Sequence, residues 1–295
     1  MKISVIIPVY NRHELTIRAA RSVLAQGQND LELIIVDDYS EPAFICPYDL
    51  AHDMQVTVLR HAKNRGAGAA RNTGIKQAQG DYVVFLDSDD VWRPGKLDAQ
   101  LTFAAKHETS RDAKPKAYVC GFRLKSAVTG RDRILQPVAV ESLGDFASGI
   151  WFCPGSTLML PRQVFDLVGG YDESLKRLED LDWFIRFGLA GGALYSVDGI
   201  FVDIEAATRP SSDAVITSIT SILDKYRCGD DKSQCLNRRV YRLLKAYLAL
   251  ELAAVYYSHG ERYSAGINLA RSFMLKPRLG LHLKDWWSHD QRVEN

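Results

Sequence analysis

Four groups of residues in this chain have the types and spacing to do chemistry. The run LDSDD at 86–90 sets Asp87, Asp89 and Asp90 directly after an apolar segment. Two carboxylates ~4 Å apart repel by about 4 kcal/mol at an effective dielectric of about 20. Such a cluster therefore calls for a cation or a raised pKa. Oxygen-only ligands at a strand end suit Mg²⁺ or Mn²⁺, which keep other positions for phosphate and water. The plainer alternative is a solvated acidic turn that caps the next helix. A second acidic pair, Asp37–Asp38, lies in IIVDDYS at 34–40. A carboxylate there can accept from a base N–H or a ribose hydroxyl, or merely cap a turn. The third group is KNRGAGAARNTG at 63–74. Gly66 and Gly68 permit close backbone approach, and Arg65 and Arg71 offer guanidinium groups to phosphate. The segment lacks the third glycine of a dinucleotide fingerprint and the GK[ST] of a P-loop, so alone it reads as a turn before a helix. The fourth is LEDLDWF at 178–184. Helical spacing puts Glu179 and Asp182 on one face and Asp180 elsewhere. A carboxylate held beside a sugar can take a proton from an attacking hydroxyl, a contribution of about 10²- to 10⁴-fold. An acidic first turn that favours the helix dipole is the competing reading.

These groups need a frame, and the first 90 residues supply one. Apolar runs at 2–9, 31–36, 55–60 and 81–87 read as strands, the first two buried on both faces. Between them, 13–26 has helical apolar spacing and 67–79 is Ala-rich. Alternation of this kind predicts a mainly parallel sheet flanked by helices, with ligands at the carboxyl ends of the strands. A helix is expected over 94–107, strands over 117–135 with a turn near Thr129–Gly130, and helices over 161–168 and 178–190. Residues 150–205 are otherwise mixed. The expected division is a domain at 1–209 and a helical extension at 210–295, with RPSSD as linker. The extension predicts helices near 212–227, 235–258 and 261–275. Residues 247–277 resemble a single tetratricopeptide-type hairpin turning at His259–Gly260. One such unit cannot bury its own face, so it should pack on the domain or on a partner.

Composition narrows the class. Across 295 residues the net charge is +1, so nothing global calls for nucleic acid or an anionic membrane. Five cysteines, odd in number and without CxxC, predict neither a disulfide framework nor a zinc site and suit a reducing compartment. No secretory leader or transmembrane run is evident. The expected location is cytoplasmic, with peripheral contact at the inner face of the plasma membrane as an option.

The four groups occur together and in order, and the chain resembles the family 2 glycosyltransferases of GT-A fold. The matching stretches are SVIIPVYNR (4–12), IIVDDYS (34–40), NRGAGAARNTGI (64–75), GDYVVFLDSDD (80–90), VGGYDESL (168–175) and LEDLDWFIRFGLAGG (178–192). The resemblance implies a metal-dependent enzyme that moves one sugar, with inversion, from a nucleotide-diphospho-sugar to a hydroxyl acceptor. UDP is the favoured nucleotide, and the acceptor is a saccharide or lipid-linked saccharide of cell-surface polysaccharide or glycoconjugate synthesis. It places Pro8 and Tyr10 at the nucleotide, Asp38 at the base, Asp37 nearby and Arg71 near the diphosphate. Asp87 and Asp89 form the DxD pair, binding the ribose and Mg²⁺ or Mn²⁺, a role Asp90 shares, and Ser88 between them borders the nucleotide-sugar. Asp180 becomes the catalytic base, with Glu179 orienting or contacting the acceptor.

Two departures stand out. ATRPSSD (207–213) has no histidine where relatives carry one that reaches the metal, and the QxxRW signature of processive synthases is absent. Acceptor recognition is least legible. Trp151, Phe152 and the CPGS turn at 153–156 are candidates for a pocket floor, and Trp286 and Trp287 for a membrane surface; core packing is the simpler reading for Phe152, packing on the helical hairpin for Trp286 and Trp287, and Trp151 is open to either. The C-terminal helices are also a candidate surface for a protein partner or a second copy. Two other classes compete. A sugar-phosphate nucleotidyltransferase needs a Gly-rich loop after the first strand, which PVYNRHEL does not offer. An inactive GT-A-like nucleotide-binding scaffold would keep the acidic sets without turnover.

Overall fold

The computed structural model describes residues 1–53, 55–108, 114–125, 132–149, 154–205, 212–228 and 235–277. The elements in chain order are β1 (Ile3–Val9), α1 (His13–Leu24), β2 (Leu31–Asp37), α2 (Tyr48–Asp53), β3 (Gln55–Arg60), α3 (Ala67–Gln77) and β4 (Tyr82–Phe85). There follow β5 (Val91–Trp92), α4 (Lys96–His107), β6 (Lys116–Lys125), β7 (Arg133–Leu135), α5 (Leu143–Ala147), α6 (Pro154–Thr157), β8 (Met159–Pro161) and α7 (Gln163–Val168). The last are α8 (Glu179–Leu189), β9 (Ala193–Glu205), α9 (Ser212–Tyr226), α10 (Arg238–Ser258) and α11 (Arg262–Leu275).

The described strands form one sheet in the order β3-β2-β1-β4-β8-β6-β9-β5, with β7 on β6. The first four are parallel, as the alternating sequence pattern predicts, and β8 joins β4 antiparallel. Strand alternation sorts the core onto two faces. Val5 and Ile7 pack with Ala19, Ala20 and Val23 of α1 and Leu97 of α4. Ile6, Ile34 and Phe85 face the other way, towards Ala70 of α3 and Trp183, Phe184 and Phe187 of α8. Helix α8 is apolar on a second side. Leu181 and Ile185 meet Val215, Ile222, Leu244 and Leu248 of the C-terminal helices. The hairpin therefore rests on the domain, and it turns at Gly260, whose φ is 81°.

Three expectations need comment. The 13-residue strand β9 lies within the stretch read as mixed. Its burial alternates irregularly, and its pairing with β6 slips around Gly121, so no clean period marks it. Where no disulfide framework is expected, Cys228 and Cys235 form a single disulfide with Cα atoms 4.7 Å apart, while Cys46 and Cys120 are free. The end of α9 and the approach to α10 bring them together, which a seven-residue spacing does not announce. The turn near Thr129–Gly130, Trp151 to Cys153, most of ATRPSSD, and Trp286 and Trp287 lie outside the described residues. Among the described residues no helix is long and apolar enough to cross a membrane.

Candidate active site

Strand register fixes the site. Val9, Asp37 and Arg60 stand in one row across β1, β2 and β3. Parallel strands end together, so Tyr10, Asp38 and His61 follow at a common carboxyl edge, and Asp87 emerges there from β4. Tyr10 is about half exposed at this edge, and Pro8 is partly buried.

The acidic pair after β2 holds the edge in shape. Asp37 is almost fully buried. Its carboxylate accepts from the amides of Ser40 (2.8 Å) and Phe44 (3.1 Å) and from the Arg60 guanidinium (2.6 Å). Burial alone would raise its pKa, but these hydrogen bonds and the Arg60 charge outweigh it and hold the pKa below the usual value. Asp38 Oδ1 lies 2.7 Å from His61 Nδ1 and accepts from the Arg65 amide, while Oδ2 accepts from the Gly66 amide at 2.7 Å. Gly66 has φ 95°, a conformation that a side chain would strain. It opens α3 with its N–H turned onto Asp38. His61 in turn meets Thr73 of α3 at 2.9 Å.

Arg71, in the body of α3, is the centre of the cluster. It is 4% exposed and donates to Asp87 Oδ1 (2.8 Å) and Glu179 Oε1 (3.2 Å), with Asp180 Oδ1 at 3.9 Å. Burial works against its charge, yet Asp87, Asp180 and Glu179 more than compensate and keep it protonated. Its cation also lies over the Tyr171 ring, 5.6 Å from the centroid. Two polar atoms at this point, Arg71 Nε and Asp180 Oδ1, are buried without a hydrogen-bond partner among the described residues. Buried polar atoms rarely go unpaired, so the cluster is built to receive a polar group. Burial first, then the neighbouring Glu179 and Asp87, push the Asp180 carboxyl up to about 7, against the pull of Arg71.

The segment after β4 divides its carboxylates. Asp87 leans on Gly155, where an added Cβ would come within 2.3 Å of its Oδ2. Asp89 pairs with Arg12, and its carbonyl accepts from Arg18 at 2.7 Å. Ser88 is buried. Asp90 is buried and turned inward, accepting from the Ser156 hydroxyl and from the Glu205 amide at 3.2 Å. Burial, together with Asp87, lifts its pKa to about 8.

The helical face read for α8 needs correcting. Glu179 and Asp180, not Glu179 and Asp182, share the site. Asp182 is fully buried against Arg186 (3.0 Å), Lys225 (2.7 Å) and the Tyr226 hydroxyl (2.8 Å), where it ties α8 to α9. Glu179 and Asp180 occupy the first turn, entered through Leu178 at φ 62°, and both swing towards the Arg71 charge. Sequence reasoning missed Arg12, His61 and Tyr171, and gave CPGS a different role. Gly155 and Ser156 brace Asp87 and Asp90, and the Ser156 hydroxyl also lies 3.1 Å from the Asp87 amide. His61 carried a usable signal, since it directly follows the third strand.

A mixed sheet whose parallel half gathers acidic side chains at its carboxyl edge, with helices on both faces, places the chain among the α/β enzymes of GT-A fold. Residues 4–164 match the model of Glycosyl transferase family 2, and the chain belongs to that family of glycosyltransferases. It is 29% identical over 279 residues to the amylovoran biosynthesis glycosyltransferase AmsB of Erwinia amylovora, covering 92% of this chain and 90% of that one. It is 38% identical over 205 residues to the putative colanic acid biosynthesis glycosyl transferase WcaA of Escherichia coli, covering 66% and 69%. Some relatives are much longer: a Rickettsia conorii glycosyltransferase matches at 47% over 107 residues, only 17% of its length. The crystal structure of S. aureus TarS 1-349 in complex with UDP superposes with a TM-score of 0.60 at 17% identity, covering 97% of this chain and 92% of that one. That likeness concerns the fold.

Proposed function

We propose that this glycosyltransferase moves a single sugar, with inversion, from a UDP-sugar to a saccharide or lipid-linked saccharide hydroxyl in cell-surface polysaccharide synthesis. The observation that carries the reading is the Arg71 cluster, in which Asp180 Oδ1 and Arg71 Nε have no hydrogen-bond partner among the described residues. The amylovoran and colanic acid relatives support the pathway class, and the UDP complex of a structural neighbour supports the nucleotide.

In this reading Asp38 and Tyr10 border the nucleotide, and Arg71 leaves part of its carboxylate pairing to meet the diphosphate. Asp180 accepts the proton of the acceptor hydroxyl. The acceptor oxygen bonds to the anomeric carbon as the bond to the diphosphate oxygen breaks on the opposite face. UDP leaves with that electron pair, and a single displacement inverts the centre. Glu179 orients the acceptor, and Asp37 acts indirectly by fixing the Asp38 loop.

Mg²⁺ or Mn²⁺ would be held by Asp87 and Asp89, each of which keeps one carboxylate oxygen free of donors among the described residues. Asp90 has both oxygens engaged and supports the turn. Among the described residues no three acidic, His or Cys side chains converge tightly enough to hold an ion alone. Two carboxylates with open oxygens suit a hard divalent cation that takes its other oxygen ligands from elsewhere. When bound, the ion supplies charge stabilisation to the leaving diphosphate.

Calorimetric titration of UDP with and without Mn²⁺ tests this. Binding should require the metal and disappear in Asp89→Ala while the protein stays folded. Binding of GDP or dTDP instead would move the donor. No nucleotide binding at all would favour the inactive scaffold.

A further inference from the structure

We propose that the outer face of α11 is a docking surface for an anionic lipid bilayer. Helix α11 turns Ala265 and Ser272 onto α10, with the Ser272 hydroxyl donating to the Ala246 carbonyl at 2.7 Å. The opposite side of the same helix carries Tyr263, Ile267 and Met274, which are 83%, 51% and 70% exposed. At 100° per residue these three fall on one stripe, and Phe273, 58% exposed, lies on the helix flank about a quarter-turn away. A monomeric protein rarely leaves such a stripe uncovered without a use for it.

Charge identifies the occupant. Residues 237–277 hold seven Lys and Arg against Glu251 and Glu261, a formal +5 in a chain whose total is only +1. Glu251 is partly buried and bonded to the Tyr247 hydroxyl, so Glu261 is the one exposed acidic side chain of the hairpin. Arg262 and Arg271 flank the stripe and are exposed. At its far end Arg242 donates to the carbonyls of Leu275 (2.6 Å) and Met274 (3.3 Å), next to the exposed Arg238 and Arg239 at the start of α10. An apolar stripe rimmed by basic groups matches the boundary between acyl chains and anionic headgroups. A second copy docked about a two-fold axis would instead set this basic rim against itself.

The C-terminal end of α11 meets the domain, with Lys276 Nζ 3.3 Å from the Ser148 hydroxyl at the end of α5. Docking does not depend on the transfer chemistry. Its benefit, a lipid-linked acceptor held within reach of Asp180, rests on the reading above.

Co-sedimentation of the full chain with vesicles tests the proposal. The two compositions are phosphatidylcholine alone and phosphatidylcholine with about one-third phosphatidylglycerol. Binding to the anionic vesicles should be stronger by at least about tenfold and fall at high salt. Ile267→Glu with Met274→Glu should abolish it, while metal-dependent UDP binding and the circular dichroism spectrum stay as in the parent. Equal binding to both vesicle types, no binding, or undiminished binding by the double variant would overturn the proposal. So would light scattering that finds a dimer which the double variant dissociates. Loss of UDP binding in the parent protein would defeat the donor reading and leave docking to stand or fall on the vesicles.

Discussion

Replacing Asp180 with Asn should remove transfer and, at the same time, stabilise the protein in alkaline solution. The carboxyl titrates near 7 in the fold, against an ordinary value of 3.8. Its native pKa is raised, so between these limits the folded state holds a proton that the unfolded state has released. Stability therefore falls as pH rises from about 4 to about 7. The difference corresponds to about 4 kcal/mol at pH 8 as an upper figure, and to about 2 kcal/mol or less near pH 5. Solvent reaches about a fifth of the side chain, 19%, which lowers both values. For a domain of this size a gain of about 2 kcal/mol at pH 8 raises Tm by about 4–8 °C. The gain should shrink towards pH 5 and vanish near pH 4. In the parent enzyme kcat/KM should rise about tenfold between pH 6 and pH 8 as Asp180 ionises, and the variant should lose about 10²- to 10⁴-fold of rate. Thermal melts at several pH values and a coupled assay for released UDP give both readouts. A fully active variant, or a stability difference that does not change between pH 5 and pH 8, would refute the reasoning.

Two further substitutions probe the supports of the site. Gly155→Ala puts a Cβ 2.3 Å from Asp87 Oδ2, so Asp87 must shift; metal-dependent UDP affinity should drop roughly tenfold or more with little change in Tm, and unchanged calorimetry would count against Asp87 as a donor-site residue. Asp182→Ala takes from Arg186, Lys225 and the Tyr226 hydroxyl the carboxylate they share, while Lys225 keeps Asp172 at 2.9 Å. It should cost about 2–3 kcal/mol in urea unfolding, and a loss below about 1 kcal/mol would mean that Asp182 does not anchor α9.

Sequence alone determined the elements that make chemistry local. Continuous apolar runs at β1 and β2 are legible because a parallel strand is buried on both faces. The carboxylates of LDSDD and Asp37–Asp38 are legible because they terminate such runs, where register alone carries them to one edge. Tertiary structure decided how those carboxylates divide their work. Asp180 and Asp182 are chemically alike and two residues apart, yet one faces Arg71 and the other Lys225 and Tyr226. That choice depends on α3 and α9, more than 100 residues before it and about 30 after it, which no local pattern encodes. Asp87, Asp89 and Asp90 likewise separate only because Arg71, Arg12 and Ser156 arrive from three distant segments. Local periodicity and turn chemistry are written along the chain, whereas the partner of each buried charge is set by packing between elements far apart in sequence.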